Sequence, residues 1–491
     1  MRLLLLVLLL SVCVSGGIFD TKLGQKIKGV VDKIKTKLNS TALLAIREKI
    51  HGLKEKIKAK LTLSPERKAI LSELLKQIGS IKKDHILSKG DSIEEINVNN
   101  KIGELLYQGD IVLTNEQADE IVQEAEDEGG NRTKRQAFRD QNYPRTLWSN
   151  GVNYFFDPSA SPVVRSVFTK GARLWMKDTC IDFRENREAP DRIRVFKENG
   201  CWSFVGRLGK QQDLSLGDGC ESVGTAAHEI GHAIGFFHTQ SRHDRDNFIT
   251  FNVQNVKSDR NLQPDWVDQF TKQTTATNEN YGIPYDYGNI MHYGANSVGQ
   301  HACGIIQRGA IQITLQNVRW EDFHTLETAP DAYVRVDTPS GCGQVYQATA
   351  QYQTLTDEVG NPNAGQRPRE DMDMCNYWIA APAGARIEVK LVGFTKGLAV
   401  DGCQYAGVEI KTHADQRLTG YRFCAPEDAG VTLVSKHNIV PIITYNRFYA
   451  TKTVIQYRIV SGGQPMPQPR PNPGQPMPQP KPNPNCVDNQ Q

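Results

Sequence analysis

Hydrophobic residues fall along this chain in four rhythms, and each predicts a different kind of element. The first is a continuous run: MRLLLLVLLLSVCVSGG sets Arg2 ahead of about a dozen apolar residues and closes on small residues at Ser15 to Gly17. That is the pattern of a secretory signal peptide over 1–16, and the run is shorter than the roughly 20 residues a membrane span requires. No later stretch is apolar for long enough to predict a stable membrane anchor. The second rhythm is helical: Leu23, Ile27, Val30, Ile34 and Leu38 recur at threes and fours with Lys26, Lys33 and Lys37 between them. Such a Lys-rich amphipathic helix suits either an acidic or membrane surface or a solvated segment that is later removed. The third is strict alternation, as in Ile387-Glu388-Val389-Lys390-Leu391 and Val454-Ile455-Gln456-Tyr457-Arg458-Ile459, broken by Gly and Pro turns. It predicts an all-β module over 342–460. The fourth is nearly devoid of apolar residues: QPMPQPRPNPG is followed by QPMPQPKPNPN, an eleven-residue period in the tail at 461–491. That composition favours extended polyproline II and builds no core, so it serves as a stiff spacer or as a ligand for a Pro-binding domain.

Length and charge narrow the picture. At 491 residues the chain needs more than one core. With 58 basic against 55 acidic residues its net charge is +3, which suggests no nucleic-acid partner. Of ten cysteines, Cys13 leaves with the signal peptide, and the other nine meet an oxidising compartment where disulfides form. An odd count leaves one unpaired or bridged to another chain. No two cysteines form a close CxxC pair, so a metal site falls to the histidines.

Arg132-Thr133-Lys134-Arg135 has the RxKR form cut by secretory proprotein convertases, and Asp127, Glu128, Gly129 and Gly130 before it read as an exposed loop. Cleavage after Arg135 would separate a pro-region, 17–135, from a globular region that begins at Gln136. Two glycosylation sequons precede the cut, at Asn39 and Asn131, and a glycan on the second would hinder cleavage. Asp337-Thr338-Pro339-Ser340-Gly341 reads as a linker ahead of the β module.

Chemistry concentrates in HEIGHAIGFFH, residues 228–238. His228 and His232 lie one helical turn apart and share a face, and Gly235 allows the chain to turn so that His238 returns as a third nitrogen. Three neutral imidazoles leave an open position, which marks a catalytic zinc site, and Glu229 beside the first histidine is placed as a general base. The spacing matches H-E-x-x-H-x-x-G-x-x-H, the metzincin zinc pattern.

Downstream, Tyr287-Gly288-Asn289-Ile290-Met291-His292-Tyr293 fits a methionine turn. Together with SRHDRD at 241–246 and GCWSFVGRLGKQQDLSLGDGC at 200–220, it makes the chain resemble the astacin family of secreted zinc endopeptidases, in particular nematode astacins that carry a CUB domain. The resemblance implies an α+β, metzincin-type catalytic domain over 136–300 with a zinc-binding helix. A connector at 301–341, an all-β CUB sandwich at 342–460 and a helical pro-region complete the expectation. It implies one zinc per catalytic domain on His228, His232 and His238, Glu229 as base, Tyr293 swinging toward the reacting carbonyl, and Met291 supporting the site from below. Leu106-Tyr107-Gln108-Gly109-Asp110 resembles the pro-region motif F-x-G-D, with Tyr107 for Phe, which makes Asp110 the aspartate that blocks zinc until the chain is cut. Disulfides Cys201–Cys220, Cys342–Cys375 and Cys403–Cys424 follow from the same resemblance, with Cys303 left as a partner for Cys180 and Cys486 left over.

The chain also departs from the family. Thr239 stands where most members carry a Glu that pairs with the new N-terminus, and Gln136 can cyclise and lose its amine. Residues 294–341 are too short for the family's closing segment plus an EGF-like module, so this stretch is either remodelled or lacks an exon. Ala406 replaces the aspartate of calcium-binding CUB domains, which argues against calcium there. The expected function is a secreted zinc endopeptidase made as a zymogen, activated by a proprotein convertase and acting on extracellular matrix or cuticle proteins such as procollagens. The competing expectation is a catalytically silent, CUB-containing matrix-binding protein.

Overall fold

A computed structural model of the chain describes residues 84–126, 143–251, 283–294 and 339–460, apart from 366, 396, 414 and 417, with short pieces at 45–46, 48–49, 270–274, 278, 280 and 306–308. The signal peptide, the Lys-rich helical pattern, Asn39, Asn131, Arg135, Cys303, most of the connector and the Pro-rich tail lie outside these residues.

The first half is built on a mixed sheet of β1 (Ile111–Val112), β2 (Val152–Phe156), β3 (Phe183–Glu185), β4 (Arg192–Phe196), β5 (Cys201–Phe204) and β6 (Gln211–Leu216). Their spatial order is β1-β5-β6-β4-β2-β3. Only β5 and β6 run antiparallel within it. The inner strands VNYFF and RIRVF are rich in β-branched and aromatic residues, and in the second the buried Ile193 and Val195 alternate with the less buried Arg192 and Arg194.

Among the described residues four α-helices accompany the sheet: α1 (Ile93–Asn99), α2 (Asn115–Glu126), α3 (Pro162–Asp178) and α4 (Val223–Ala233). Helix α3 begins where Ser161 accepts the Val164 N–H at 3.2 Å and Pro162 occupies the first turn. Its Val164, Val167, Phe168 and Ala172 recur at threes and fours and enter the core with Ile193, Val195, Leu214 and Ile230. The two long helices approach closely: a Cβ on Gly171 would sit 3.0 Å from the Ala227 nitrogen. Trp175 Nε1 donates to Ala227 O at 2.9 Å across the same contact. A short antiparallel pair, β7 (Ile249–Phe251) with β8 (Ile306–Arg308), follows.

The second half is a sandwich of two sheets. One contains β9 (Ser340–Gly341), β10 (Val345–Gln347), β12 (Asp373–Ala380), β14 (Ala406–Ile410), β15 (Tyr421–Phe423) and β17 (Ile439–Asn446). The other contains β11 (Gln353–Gly360), β13 (Arg386–Thr395), β16 (Thr432–Val434) and β18 (Ala450–Val460). The two alternating runs of the sequence lie in β13 and β18 and pair directly, Ile387 opposite Ile459 and Leu391 opposite Ile455. Between the sheets Leu355, Ile379, Val389, Val408, Ile442 and Ile455 form an aliphatic core.

Cys201–Cys220, Cys342–Cys375 and Cys403–Cys424 are bonded, with Cα separations of 5.6, 5.0 and 5.7 Å. Cys180 differs from the expectation. It lies exposed just past the end of α3 with a free thiol, and its expected partner Cys303 lies outside the described residues. Among the described residues no helix is long and apolar enough to cross a membrane.

Candidate metal centre

Helix α4 carries the first two histidines. Ser222 caps it by accepting the Thr225 N–H at 3.0 Å, and its other end closes at Gly235, whose φ of 113° only glycine adopts without strain. There Gly235 N–H donates to His232 O at 2.9 Å and Phe236 N–H to Gly231 O at 3.0 Å. These two bonds are those of a Schellman motif, and they turn the chain so that His238 comes back beneath His232.

The three Nε2 atoms converge. His228 lies 3.1 Å from His232 and 3.3 Å from His238. Each outer nitrogen faces an acceptor: Nδ1 of His228 bonds Ile290 O at 2.7 Å, Nδ1 of His232 bonds Phe236 O at 2.7 Å, and Nδ1 of His238 bonds Gln108 Oε1 at 3.1 Å. Since a carbonyl only accepts, the proton sits on Nδ1 and the three Nε2 lone pairs face one another. Burial pushes His232 down and His238 down to about 4, whereas at His228 burial is outweighed by the hydrogen bond and charge of Asp110, which raise it. Three inward lone pairs with a carboxylate among them repel unless a cation sits between them. Ligands about 2.0–2.1 Å from a tetrahedral zinc would stand roughly 3.4 Å apart, close to the separations observed. The donor set fits zinc.

The carboxylate is Asp110. Its Oδ2 lies 3.1 Å from Nε2 of both His228 and His238, and its Oδ1 is 3.4 Å from Nε2 of His232. Burial works against its charge, but His238 and His232 outweigh burial and hold the group well below the usual carboxylate range. A tight turn delivers it: Tyr107 and Ile111 exchange both backbone hydrogen bonds, at 2.8 and 3.0 Å, while Gln108 and Gly109 take positive φ. Strand β1 then pairs with β5 in parallel, Ile111 opposite Ser203. Asn97 of α1 locks the turn to the sheet, donating to Gly109 O at 2.8 Å and Cys201 O at 2.7 Å and accepting Cys201 N–H at 2.8 Å. The Tyr107 hydroxyl also has its own use, as it accepts Gln273 Nε2 at 2.7 Å.

Glu229 is fully buried, and neither carboxylate oxygen has a hydrogen-bond partner among the described residues. Burial pushes its carboxyl well up, with Asp110 and Glu94 adding to the shift. Met291 lies under α4: a Cβ on Gly231 would come within 2.5 Å of its Sδ, so the helix needs glycine there. Thr239 N–H donates to Met291 O at 2.8 Å, tying the turn to the segment after His238. Tyr293 packs its ring 4.5 Å from that of His238 and donates its hydroxyl to Gln108 O.

The structure therefore brings together His228, His232, His238, Glu229, Tyr293, Met291 and Asp110. Sequence reasoning passed over Asn97 and Gln108. Gln108 carried one signal, its place inside the turn motif; Asn97 carried none. Glu94, fully buried and pushed up to about 7 mainly by burial, was missed as well.

Residues 140–313 match the family model described as Astacin, a peptidase family. Zinc metalloproteinase nas-31 of Caenorhabditis elegans is 40% identical over 423 residues, which is 77% of this chain and 67% of that protein. The chain belongs to the astacin family. It is an astacin-type zinc endopeptidase of the nematode kind, and Zn2+ is its cofactor. A second astacin from C. elegans, zinc metalloproteinase nas-23, is 32% identical over 429 residues, 78% of this chain and 77% of that protein. Among solved structures, high choriolytic enzyme 1, a hatching enzyme zinc-protease from Oryzias latipes, is 31% identical and covers 36% of this astacin and 86% of that chain, with a TM-score of 0.32.

Proposed function

We propose that this astacin is secreted as a latent enzyme, that residues 17–135 are its removable pro-region, and that cleavage after Arg135 by a proprotein convertase frees the site. In this reading 1–16 is a signal peptide, 136–300 the catalytic domain, 301–341 a connector, 342–460 a CUB domain and 461–491 a Pro-rich spacer. The observation that carries it is Asp110, a carboxylate from the pro-region inserted among the three Nε2 atoms. His228, His232 and His238 would hold zinc, and Asp110 would fill the position that the water nucleophile needs.

When bound, zinc supplies Lewis acidity to the water nucleophile and the scissile carbonyl. Glu229 takes the proton of the attacking water and hands it to the leaving amine. Its lack of any competing hydrogen-bond partner leaves both oxygens free for these steps. Tyr293 donates its hydroxyl to the oxyanion that develops on the carbonyl. In the latent chain that hydroxyl is held by Gln108 O, so the turn that brings Asp110 also occupies Tyr293. The same turn adds β1 to the edge of β5, where a substrate backbone would pair. Substrates are proposed to be extracellular matrix or cuticle proteins.

The test is activity of the secreted chain before and after removal of 17–135, with Asp110→Ala beside it. Truncating one member of a buried charge pair costs about 2 kcal/mol or more, so inhibition by the added pro-region should weaken at least about 30-fold. An unchanged inhibition constant would reject the aspartate block.

A further inference from the structure

The pro-region touches more than the zinc site. Residues 84–91 run along the sandwich: Asp84 N–H donates to Ala399 O at 3.0 Å, and Ala399 N–H donates to Asp84 Oδ2 at 2.9 Å. Seven residues on, Asp91 is buried against the same face. Its Oδ1 accepts the hydroxyl of Tyr405 at 2.7 Å, and its backbone oxygen accepts the side chain of Gln404. Tyr405 is itself 1% exposed, and the guanidinium of Arg447 lies 4.8 Å over its ring. Arg447 is buried too and donates to the carbonyls of Gln404 at 3.1 Å and Arg369 at 3.4 Å.

This is a receptor for one carboxylate, assembled on the sandwich and filled by the pro-region. Once Asp91 leaves, the buried Tyr405 hydroxyl loses its acceptor and the Gln404 amide loses its carbonyl, so the vacated face favours another carboxylate. We propose that Ala399, Gln404, Tyr405 and Arg447 form an exosite for aspartate-bearing segments of protein substrates, masked by Asp91 until the pro-region departs. It rests on the reading of 17–135 as a removable pro-region. The pro-region then closes two sites with two aspartates, Asp110 at the zinc ligands and Asp91 on the sandwich. A substrate would be gripped by the sandwich and cut by the other half.

A labelled synthetic peptide of residues 84–95 serves as the probe, titrated against the full chain before and after cleavage at Arg135. Saturable binding to the cleaved chain, and none to the uncleaved one, is expected. Asp91→Asn in the peptide should weaken it at least tenfold. Because the N–H groups of Ile86 and Leu87 also donate to the Asp91 carboxylate, at 3.0 and 2.9 Å, that change also loosens the loop itself. Tyr405→Phe in the cleaved chain leaves the loop intact and should weaken the peptide at least tenfold as well, with kcat/KM on a short peptide substrate unchanged. Equal binding to cleaved and uncleaved chain, or insensitivity to Tyr405→Phe, overturns the exosite. Failure of the pro-region reading shows separately, as an active enzyme whose N-terminal sequence still begins ahead of Gln136.

Discussion

Two buried glutamates, one in each half of the molecule, behave in opposite ways. Glu409 in the sandwich faces Arg422, whose Nε donates to it at 2.8 Å, and accepts Gly420 N–H at 2.8 Å. Burial pushes its carboxyl up, but Arg422 and the Gly420 bond outweigh burial, and the group ends below its ordinary value. Glu229 in the catalytic half has no such partner, and burial carries it well above. Glu409 is satisfied by groups of its own sandwich, whereas Glu229 is left unsatisfied beside the three histidines. A buried charge with a partner is architecture; one without is chemistry.

Removing the metal should break that comparison hardest. Chelation, or His232→Ala, is expected to abolish peptide hydrolysis and to lower the thermal transition of the catalytic half alone, since a ligand stabilises only the part that binds it. Calorimetry in which both transitions shift together would contradict the separation. Glu229→Gln keeps the shape and removes the proposed base, so kcat should fall about 10²–10⁴-fold with melting unchanged or raised. Near-normal turnover in the zinc-loaded variant would remove Glu229 from the mechanism.

The converse change belongs in the sandwich core. Ile455→Ala, at a fully buried position opposite Leu391, should cost about 2–5 kcal/mol of sandwich stability while short-peptide turnover holds. A parallel loss of turnover would mean that the halves fold as one unit. The smallest effect is expected from Glu409→Gln, about 1.5 kcal/mol. Because the folded value of Glu409 is depressed, its contribution is present above the ordinary carboxylate range and is lost as pH falls through the folded value. The variant's denaturation midpoint should therefore depend less on pH in the acid range, and an unaltered acid limb would assign that dependence to other groups.

What could be read in the sequence follows the range of the interactions. The spacing of His228, His232, Gly235 and His238 is local, so helix, turn and convergent nitrogens were all legible from eleven residues. Alternation was legible for the same reason: the inward Ile387, Val389 and Leu391 are set by the two-residue period of β13 itself. Which strand they would meet was not legible, because the pairing of β13 with β18 joins residues some seventy positions apart. Asn97 illustrates the limit. Nothing around it in IEEINVN marks it, yet it clamps the Asp110 turn to Cys201 more than a hundred residues away. Cys180 shows another limit: elimination offers Cys303 as its partner, and the thiol stands exposed and free while Cys303 lies outside the described residues.

Strand β1 has a meaning beyond the proposed latency. With β1 in place, β5 is an interior strand; without it, Ser203 and Phe204 become the rim of the sheet, a row of unpaired donors and acceptors of the kind through which proteins aggregate. An enzyme that must seize extended peptides cannot blunt that rim with proline or lysine and still bind them. Under the proposed removal of 17–135, carrying its own temporary strand would let the chain fold and travel with the rim capped, and bare it only where the neighbouring strands are those it is meant to cut.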